Sequence, residues 1–507
     1  MESFDIVIVG SGLGGLECGT ILSREGYSVL VLEKNKQIGG NLQIFSRNKR
    51  IFDTGIHYIG GLGKGQNLYR YFKYLGIMDD LKLKRMDEDG FDVVTFEGDD
   101  TEYRYAQGYD NFIETMSSYF PDERDGIIKY CDKIREVCSK FPMYDVRPMN
   151  GQLNDAPFLD INARDFIATC TSNERLQMIL AGTNLLYAGE GDKTPLYVHA
   201  LVVNSYIESS WKCIDGGSQI AILLSRNIRQ NGGQVLKNAE VVDFVFDGDE
   251  VDHVVLADGR KFKGKKFISN IHPSLTLDMV EEGKIRKAYR KRINSLENSV
   301  SVFILYIVPK PGTIPNFNCN YYHFIDPDVW IGAQYTDNWP TGYAVFSGAS
   351  SKADSYADSI IMMAYMHFEE TSKWADTFNT VSQKSERGEE YETFKEEKAQ
   401  VLFNELEKKF PGIKENTEAY YTSTPLTYRD YIGTKDGSLY GVKKDYKNPL
   451  KSFISPKTKV PNLLLTGQNL NMHGVLGVTI GAITTCSEIL GHQYLMNKII
   501  ESTTSKE

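Results

Sequence analysis

The sequence has few of the residues that would indicate an oxidising compartment. Its 507 residues contain seven cysteines and no Cys-x-x-Cys pair. Cys131 and Cys138 have the spacing of packing residues in a predicted helix. An odd cysteine count without a disulfide framework is typical of reduced thiols, so we expect a cytoplasmic protein. Because the first apolar run begins by Phe4, no signal peptide is expected.

Long apolar runs, basic clusters and metal-ligand spacings are also lacking. The longest stretch without an acidic or basic residue, 460–487, contains a proline, several glycines and many polar residues, so it predicts no membrane span. The net charge is −10, with scattered Lys and Arg, which gives nucleic-acid binding no support. The eight histidines show no ligand-like spacing, so no metal site is predicted.

What the sequence does have is a glycine-rich turn between an apolar run and a helix. Residues 4–9 predict a buried strand and residues 16–25 predict a helix. Between them, Gly10, Gly12 and Gly15 have the spacing G-x-G-x-x-G. In that order they permit a tight turn, close approach to a pyrophosphate, and packing of the helix against the strand. The helix N-terminus would offer N–H groups and a positive dipole end to phosphates.

An acidic residue follows the next predicted strand. The apolar run 28–32 ends on Glu33, where a carboxylate accepts hydrogen bonds from ribose hydroxyls. A carboxylate also repels a 2′-phosphate, so the pattern predicts FAD or NAD and not NADP. The unit therefore predicts a dinucleotide site, with a purely structural turn as the alternative.

The remaining chain alternates between two kinds of segment. Residues 68–211 are mostly helical in pattern, and 275–446 predict strands and a charged helix. We expect an α/β fold in which these two segments form an α+β substrate domain. It is interleaved with a Rossmann-like nucleotide-binding domain, a parallel sheet plus β-meander, built from 1–67, 212–274 and 447–507.

Several motifs occur in one order along nearly the whole chain. They are "VIVGSGLGGL", "VLEKN", "IGGN", "FDTGIHYIGG", "DGGSQIAILL", "NGGQVLKNAEVVDF", "KFISNIHP", "STPLTYRDYIGTKDGSLYG" and "LLLTGQNLNMHGVLGVTIGA". Together they resemble the FAD-dependent phytoene desaturase, carotenoid isomerase and retinol saturase group, which has the flavin amine oxidase-like fold. The last two are most similar to the retinol saturase-like branch. The resemblance implies a saturase or desaturase of carbon–carbon bonds in an apolar polyene, retinoid, carotenoid or related isoprenoid or lipid.

The resemblance also implies which residues hold FAD, without a covalent bond. They are Gly10, Gly12, Leu13, Gly14, Gly15, Glu33, Lys34, Gly39, Gly40, Asn41, Val241, Gly467, Gln468, Gly474, Val475 and Leu476. Asn41 stands where relatives carry Arg or Lys, so a hydrogen bond to phosphate is retained and a charge pair is lost. The final helix, beginning near Gly474, would direct its positive dipole end toward the negative charge of the reduced flavin.

Two histidines and one tyrosine-rich segment are candidates for chemistry and substrate contact. The family places the loops of His57 and His473 near the flavin, where either could relay protons or orient substrate. Alternatively, backbone carbonyls satisfy both rings. The candidate substrate residues are Thr424, Pro425, Tyr428 and Tyr431. A turn with packed aromatic rings would account for these four equally well.

Three other functions fit the same motifs. They are an isomerase without net redox change, a flavin amine oxidase, and a non-catalytic escort protein that binds prenyl chains or lipids. With one G-x-G-x-x-G motif no second dinucleotide domain is expected, although NAD(P)H could act as a transient reductant. An apolar substrate partitions into bilayers, so we expect peripheral membrane contact at the channel mouth.

Overall fold

The structure, a computed structural model, describes residues 1–148, 158–352 and 355–504. The strands are β1 Glu2–Val9, β2 Val29–Leu32, β3 Ile44–Arg47, β4 Arg50–Asp53, β5 Ile59–Gly60, β6 Leu83–Arg85, β7 Asp92–Phe96, β8 Asp99–Tyr105, β9 Ser210–Cys213, β10 Gln234–Leu236, β11 Val241–Asp247, β12 Glu250–Leu256, β13 Lys261–Ser269, β14 Ser301–Pro309, β15 Asn320–Phe324, β16 Gly342–Ser347, β17 Ile360–Met366, β18 Thr417–Ser423 and β19 Leu463–Leu465. The α-helices are α1 Leu13–Arg24, α2 Asn67–Leu75, α3 Tyr109–Tyr119, α4 Arg124–Ser139, α5 Ala163–Ala168, α6 Glu174–Leu180, α7 Leu196–Glu208, α8 Ser218–Gln230, α9 Pro273–Asp278, α10 Lys287–Asn294, α11 Gly388–Lys409, α12 Pro425–Ile432, α13 Gly474–Leu490 and α14 His492–Thr504.

The first sheet combines parallel strands from the beginning, middle and end of the chain. Its order is β10–β2–β1–β13, and β19 pairs in parallel with the C-terminal part of β13. The other part of β13 pairs antiparallel with β12, which pairs antiparallel with β11. Helix α1 packs against α8 and α13 above the parallel strands. The predicted parallel sheet plus β-meander is therefore confirmed.

The first helix begins earlier than the sequence predicts. The carbonyl of Gly12 accepts a hydrogen bond from the Leu16 N–H at 3.1 Å, which makes Gly12 the N-cap of α1. The predicted start at residue 16 was wrong, because Gly14 and Gly15 already have helical geometry in the first turn. The glycine motif thus includes the helix N-terminus itself.

The second sheet has the order β18–β14–β17–β16–β15–β7–β8, and only the β15–β7 pair among its pairings is parallel. Helix α11 covers one face, where its buried Leu402 and Leu406 join the apolar residues of β14 and β17. The charged helix predicted within 275–446 therefore has one buried apolar face. The other face packs against helices from residues 109–208 and bounds a cavity.

The description of residues 68–211 as mostly helical was incomplete. Strands β6, β7 and β8 lie within this segment, and the last two extend the second sheet. β7 has β-branched residues at Val93, Val94 and Thr95, and the turn at Gly98 connects it to β8. A run this short and this rich in β-branched residues favours a strand over a helix.

Two predictions from composition can be compared with the fold. All seven cysteines are unpaired and buried, and Cys131 and Cys138 lie in α4 as packing residues. No helix among residues 1–148, 158–352 and 355–504 has the length and apolar character needed to cross a membrane. The domain boundaries predicted from the sequence stay a prediction, although the two sheets draw on the two predicted sets of segments.

Candidate functional site

The glycine turn forms one wall of a cavity of about 580 Å³. Gly10 has a φ of +96°, which only glycine adopts without strain. Gly10, Gly12, Leu13 and Gly14 line the cavity, whereas Gly15 lies behind them. A Cβ on Gly15 would lie 2.1 Å from the Gly10 carbonyl oxygen, so this glycine serves the packing of helix on strand. The positions of Gly10, Gly12 and Gly15 therefore fit the three roles inferred from their spacing, which are the tight turn, close approach to a ligand and packing of the helix on the strand.

A second glycine loop meets the first. The Gly39 N–H donates to the Ser11 carbonyl at 3.0 Å, and a Cβ on Gly40 would lie 3.2 Å from the Gly12 Cα. Asn41 also lines the cavity, and its buried Oδ1 has no hydrogen-bond partner among the described residues. Two backbones approach closely here, and the polar side chain of Asn41 lies at the cavity. This arrangement fits the phosphates of the predicted FAD.

Glu33 lies at the C-terminal end of β2, in the same wall. It is buried, and its carboxylate accepts hydrogen bonds from the Ser11 N–H at 3.1 Å and the Asn35 N–H at 2.8 Å. A carboxylate has further acceptor sites, so Glu33 can also hold ribose hydroxyls. Lys34 lines the cavity, but its ammonium donates to the Asp430 carbonyl at 2.9 Å.

The middle and the end of the chain complete this wall. Val241 lies at the start of β11, and Gly467 and Gln468 follow β19; all three line the cavity. Helix α13 begins at Gly474, which also lines the cavity together with Val475. The free N–H groups of this helix end can therefore reach a ligand in the cavity.

Asn270, at the end of β13, was missed by the sequence analysis. It lines the cavity beneath the glycine turn. With its amide oxygen turned toward α1, it accepts from the N–H groups of Gly12 at 3.2 Å and Gly15 at 3.3 Å. The side chain thereby connects the middle strand to the glycine turn. The signals were its place in the motif "KFISNIHP" and at the end of an apolar run.

The two candidate histidines also line the cavity, His473 next to Gly474 at the start of α13 and His57 beside Phe346 of the second sheet. The His57 ring stacks on Phe346 at 4.3 Å between centroids, and neither ring nitrogen has a partner among the described residues. Burial, with a contribution from Lys212, lowers the pKa of His57 to about 3. His473 Nε2 lies 3.0 Å from the Leu186 carbonyl, and burial lowers its pKa to about 4. Both rings are therefore neutral near pH 7.

A hydrogen-bonded group beside His57 was also missed. Tyr58 and Tyr322 line the cavity, and their hydroxyls are 2.7 Å apart. Tyr58 also bonds the buried carboxyl of Asp92 at 2.7 Å. The three residues are far apart in the sequence, and the hints were the place of Tyr58 in "FDTGIHYIGG" and an acid at the start of the apolar run in β7.

The four candidate substrate residues do not stay together. Tyr431 lines the cavity, near the glycine loops. Thr424 caps α12 and bonds Tyr391, Pro425 is the first residue of that helix, and Tyr428 donates to the Thr54 carbonyl. These three are buried in packing, and none of them lines either described cavity. The local geometry of these three residues is that of the alternative, a capped helix with packed aromatic rings, and a role in substrate contact stays a prediction.

A second cavity of about 320 Å³ adjoins the first. Its lining is mostly apolar, and it includes Leu476 and Met472. The residues that line both cavities are Leu186, Tyr206, His473, Gly474 and Val475. The two spaces therefore meet at the N-terminus of α13. No group of His, Cys, Asp and Glu among residues 1–148, 158–352 and 355–504 could hold a metal ion.

Comparisons with known proteins give four findings. A profile of the family described as flavin containing amine oxidoreductase matches residues 13–311. All-trans-retinol 13,14-reductase of Homo sapiens is 26% identical, over 96% of this chain and 86% of its own length. Prolycopene isomerase 2 of an Oncidium hybrid cultivar is 26% identical, over 87% of this chain and 75% of its own length. An oxidoreductase from Methanosarcina mazei superposes with a TM-score of 0.64 at 16% identity, over 96% of this chain and 100% of its own.

Proposed function

The chain belongs to the flavin containing amine oxidoreductase family, and from this premise we propose that it moves a hydride to or from a carbon–carbon bond of an apolar polyene. It is an FAD-dependent oxidoreductase, and its resemblance to retinol saturases and carotenoid isomerases is confirmed. The relatives' names make a retinoid or carotenoid the first substrate class to test. When bound, FAD supplies the hydride chemistry.

The chain's part in binding FAD is to supply backbone N–H groups and one carboxylate. In this proposal the turn at Gly12 and the loop at Gly39 hold the pyrophosphate, and Glu33 holds the adenosine ribose. The N-terminus of α13 at Gly474 would face the flavin ring, and its dipole would stabilise negative charge there. Asn41 donates one hydrogen bond where a cationic residue would add a charge.

The observation that carries the proposal is the apolar second cavity. It meets the first cavity at the N-terminus of α13, where the proposed flavin ring lies. Its lining includes Phe141, Met143 and Ile480 and has one charged residue, Lys444, whose pKa burial lowers to about 7. Transfer of a long hydrocarbon from water into such a space is favourable, whereas transfer of a small charged amine is unfavourable.

The proposed function is tested with FAD-loaded protein that has been reduced chemically without oxygen and mixed with all-trans-retinol. We expect a product heavier by two hydrogens and loss of the reduced-flavin spectrum. Unchanged mass with altered retention would indicate an isomerase. Peroxide released from amines alone would indicate an amine oxidase, and a colourless protein that takes up no FAD would indicate an escort protein.

We further propose that the mouth of the second cavity rests on a membrane surface. Leu450 is 63% exposed and Phe453 is 40% exposed at this mouth, and the neighbouring Lys447 and Lys451 are exposed. Arg292 of α10 donates to the carbonyls of residues 451 and 453, which brings a basic helix beside the mouth. Exposed apolar residues among cations fit an anionic lipid surface.

Sedimentation with lipid vesicles tests the membrane contact. We expect binding to phosphatidylserine-containing vesicles and about tenfold weaker binding after Leu450→Ser and Phe453→Ser are combined, because two inserted side chains are lost. Ile222→Ser is the control, since Ile222 is 59% exposed on α8, away from both cavities. An equal effect of the control would contradict a localised contact.

A further inference from the structure

Polar side chains meet at the face of the second sheet that bounds the first cavity. Asn320 of β15 pairs with Asp92 of β7, and Tyr322 pairs with Val94. Because side chains alternate in direction along a strand, Asp92, Asn320 and Tyr322 project from one face. Tyr58 approaches this face from the loop between β4 and β5.

These side chains form one continuous hydrogen-bonded chain. The Tyr58 hydroxyl lies 2.7 Å from Asp92 Oδ2 and 2.7 Å from the Tyr322 hydroxyl. Asn320 Nδ2 donates to Asp92 Oδ1 at 2.8 Å, which fixes the carboxyl. Asp92 is fully buried, whereas Tyr58 and Tyr322 line the cavity. The chain therefore connects a buried carboxyl with the cavity.

The order of the protons along this chain depends on Asp92. A carboxylate accepts from Tyr58, and Tyr58 then accepts from Tyr322, so both hydroxyl hydrogens point away from the cavity. A carboxylic acid donates to Tyr58, Tyr58 donates to Tyr322, and the Tyr322 hydrogen can point into the cavity. When Asp92 is protonated, the Tyr322 hydroxyl can therefore donate its hydrogen toward the cavity.

The surroundings of Asp92 place its titration near neutrality. Burial raises the pKa of Asp92 to about 7, against the effects of the Tyr58 and Asn320 hydrogen bonds and of Lys212. Lys212 is itself buried, which lowers its pKa to about 8, and its ammonium donates to the Ser347 carbonyl at 3.0 Å. The other titratable neighbours, which are neutral at pH 7, are Tyr58, Tyr322, Tyr105, Tyr206 and His57.

We propose that Tyr322, supplied through Tyr58 by Asp92, donates the proton in the reduction of the carbon–carbon double bond, an inference that rests on the proposed function. One alkene carbon gains a hydride with its electron pair from reduced FAD. The π electron pair of the double bond forms a bond between the other carbon and the Tyr322 proton. The electron pair of the broken O–H bond stays on the Tyr322 oxygen. Tyr322 regains a proton from Tyr58, and Tyr58 regains one from Asp92, which becomes a carboxylate and is reprotonated from solvent. Desaturation runs the same transfers in reverse.

The two histidines are poorer candidates for this step. The low pKa values of His57 and His473 leave neither protonated near neutral pH. Neither belongs to a hydrogen-bonded chain that ends at a titrating group among the described residues. Tyr322 is the outer end of such a chain.

The test compares Asp92→Asn and Tyr322→Phe with a matched control, Tyr105→Phe. Tyr105 is a buried tyrosine on β8, paired with Asp92, and its hydroxyl donates to the Ile179 carbonyl outside the proposed chain. All-trans-retinol is the probe substrate, and the visible spectrum verifies that each variant holds FAD. We expect both relay variants to lose about 100-fold or more in reduction rate and the control to stay within about twofold.

A second readout does not depend on turnover. Infrared difference titration of the FAD-loaded, substrate-free protein should show a carboxylic-acid band that disappears with a midpoint near pH 7 and is missing in Asp92→Asn. Asp53, whose pKa burial also raises to about 7, contributes to the same region, so the variant difference is the quantity to measure. The rate should fall as the pH rises through this midpoint in the wild type but not in Asp92→Asn.

The outcomes separate the two proposals. If the wild type reduces no polyene, the proposed function fails and the donor role fails with it. If the wild type is active and Tyr322→Phe matches the control, the relay alone is wrong. An infrared difference without an Asp92 acid band also overturns the relay, because an ionised carboxylate has no proton to pass on.

Discussion

The two ends of the first cavity are built from different parts of the protein. Backbone forms most of the end at the glycine turn, and the residues whose N–H groups or close approach shape it are Gly10, Gly12, Gly39, Gly40 and Gly474. Side chains form the end at the second sheet, and they are His57, Tyr58, Tyr322, Phe346 and the more deeply buried Asp92. The glycine end is determined by the local conformation of the backbone. The end at the second sheet is determined by which distant segments of the chain come together.

This difference predicts that substitutions at the two ends fail in different ways. A change at the glycine end should remove the cofactor, and with it every activity. A change in the Asp92 chain should leave FAD bound and slow one chemical step. The predictions below test this separation, from the largest expected effect to the smallest.

The largest effect is expected from one methyl group at the glycine end. A Cβ on Gly15 would lie 2.1 Å from the Gly10 carbonyl oxygen, and relief of this clash would displace α1 from β1. We expect Gly15→Ala to lower the free energy of unfolding by about 4 kcal/mol and to yield protein without FAD. Urea denaturation and the visible spectrum measure both effects.

Gly332→Ala is the matched control for this substitution. Gly332 has a φ of −54°, and its Cβ would lie 3.5 Å from the nearest atom, a Leu185 side-chain carbon, which is an ordinary contact. We expect this variant to keep FAD and to change stability by less than about 1 kcal/mol. If Gly15→Ala behaved like the control, the tight helix–strand contact would not be what shapes the nucleotide end.

The contrast between the ends also explains what the sequence could predict. Gly10, Gly12 and Glu33 act within one β–α–β unit, so their spacing reports their geometry. Asp92 and Tyr322 meet only because β7 and β15 pair in one particular register. That register depends on the whole second sheet, and no local pattern encodes it.

The segment around α12 shows a second limit of prediction from sequence, because a matching motif does not reveal which of its side chains reach a cavity. The motif that contains Thr424 and Tyr428 matched the family well, yet the first residue serves as a helix cap and the second as a packed aromatic ring. A motif identifies a local conformation, and the tertiary fold decides which of its side chains reach a cavity. Of these candidates only Tyr431 does so.

A smaller effect is expected from Glu33, the buried carboxylate that bonds the glycine turn. Glu33→Gln keeps the size of the side chain but loses the charge that strengthens its hydrogen bonds to ribose hydroxyls. It also weakens the bonds from the Ser11 and Asn35 N–H groups. We expect about tenfold weaker FAD binding, equivalent to about 1.4 kcal/mol, in a titration of FAD-free protein.

Glu240→Gln is a control at the same rim. Glu240 lines the cavity, but its carboxylate accepts from Ser382 at 2.6 Å and holds no backbone of the glycine turn. We expect FAD affinity to change by less than about twofold. A similar loss in both variants would mean that overall charge, and not the bonds of Glu33, governs binding at this end.

The smallest effect concerns a second buried acid, which belongs to the glycine end. Glu17 of α1 accepts from Thr479 Oγ1 at 2.7 Å, and its Oε2 has no partner among the described residues. Burial raises the pKa of Glu17 well above its usual value, so the folded state keeps a proton that the unfolded state has lost. Stability therefore falls as the pH rises from the unfolded pKa toward the folded one.

Glu17→Gln removes this titration and keeps the shape of the side chain. We expect the variant to match the wild type near pH 4 and to be the more stable of the two near pH 8, as measured by urea denaturation. Glu17 lines neither cavity, unlike Tyr58, which bonds Asp92, and Tyr322, which bonds Tyr58. The fall in reduction rate near pH 7 should therefore persist in Glu17→Gln and vanish only in Asp92→Asn. If Glu17→Gln removed it, an acid of the glycine end would control proton transfer, and the two ends would not be functionally separate.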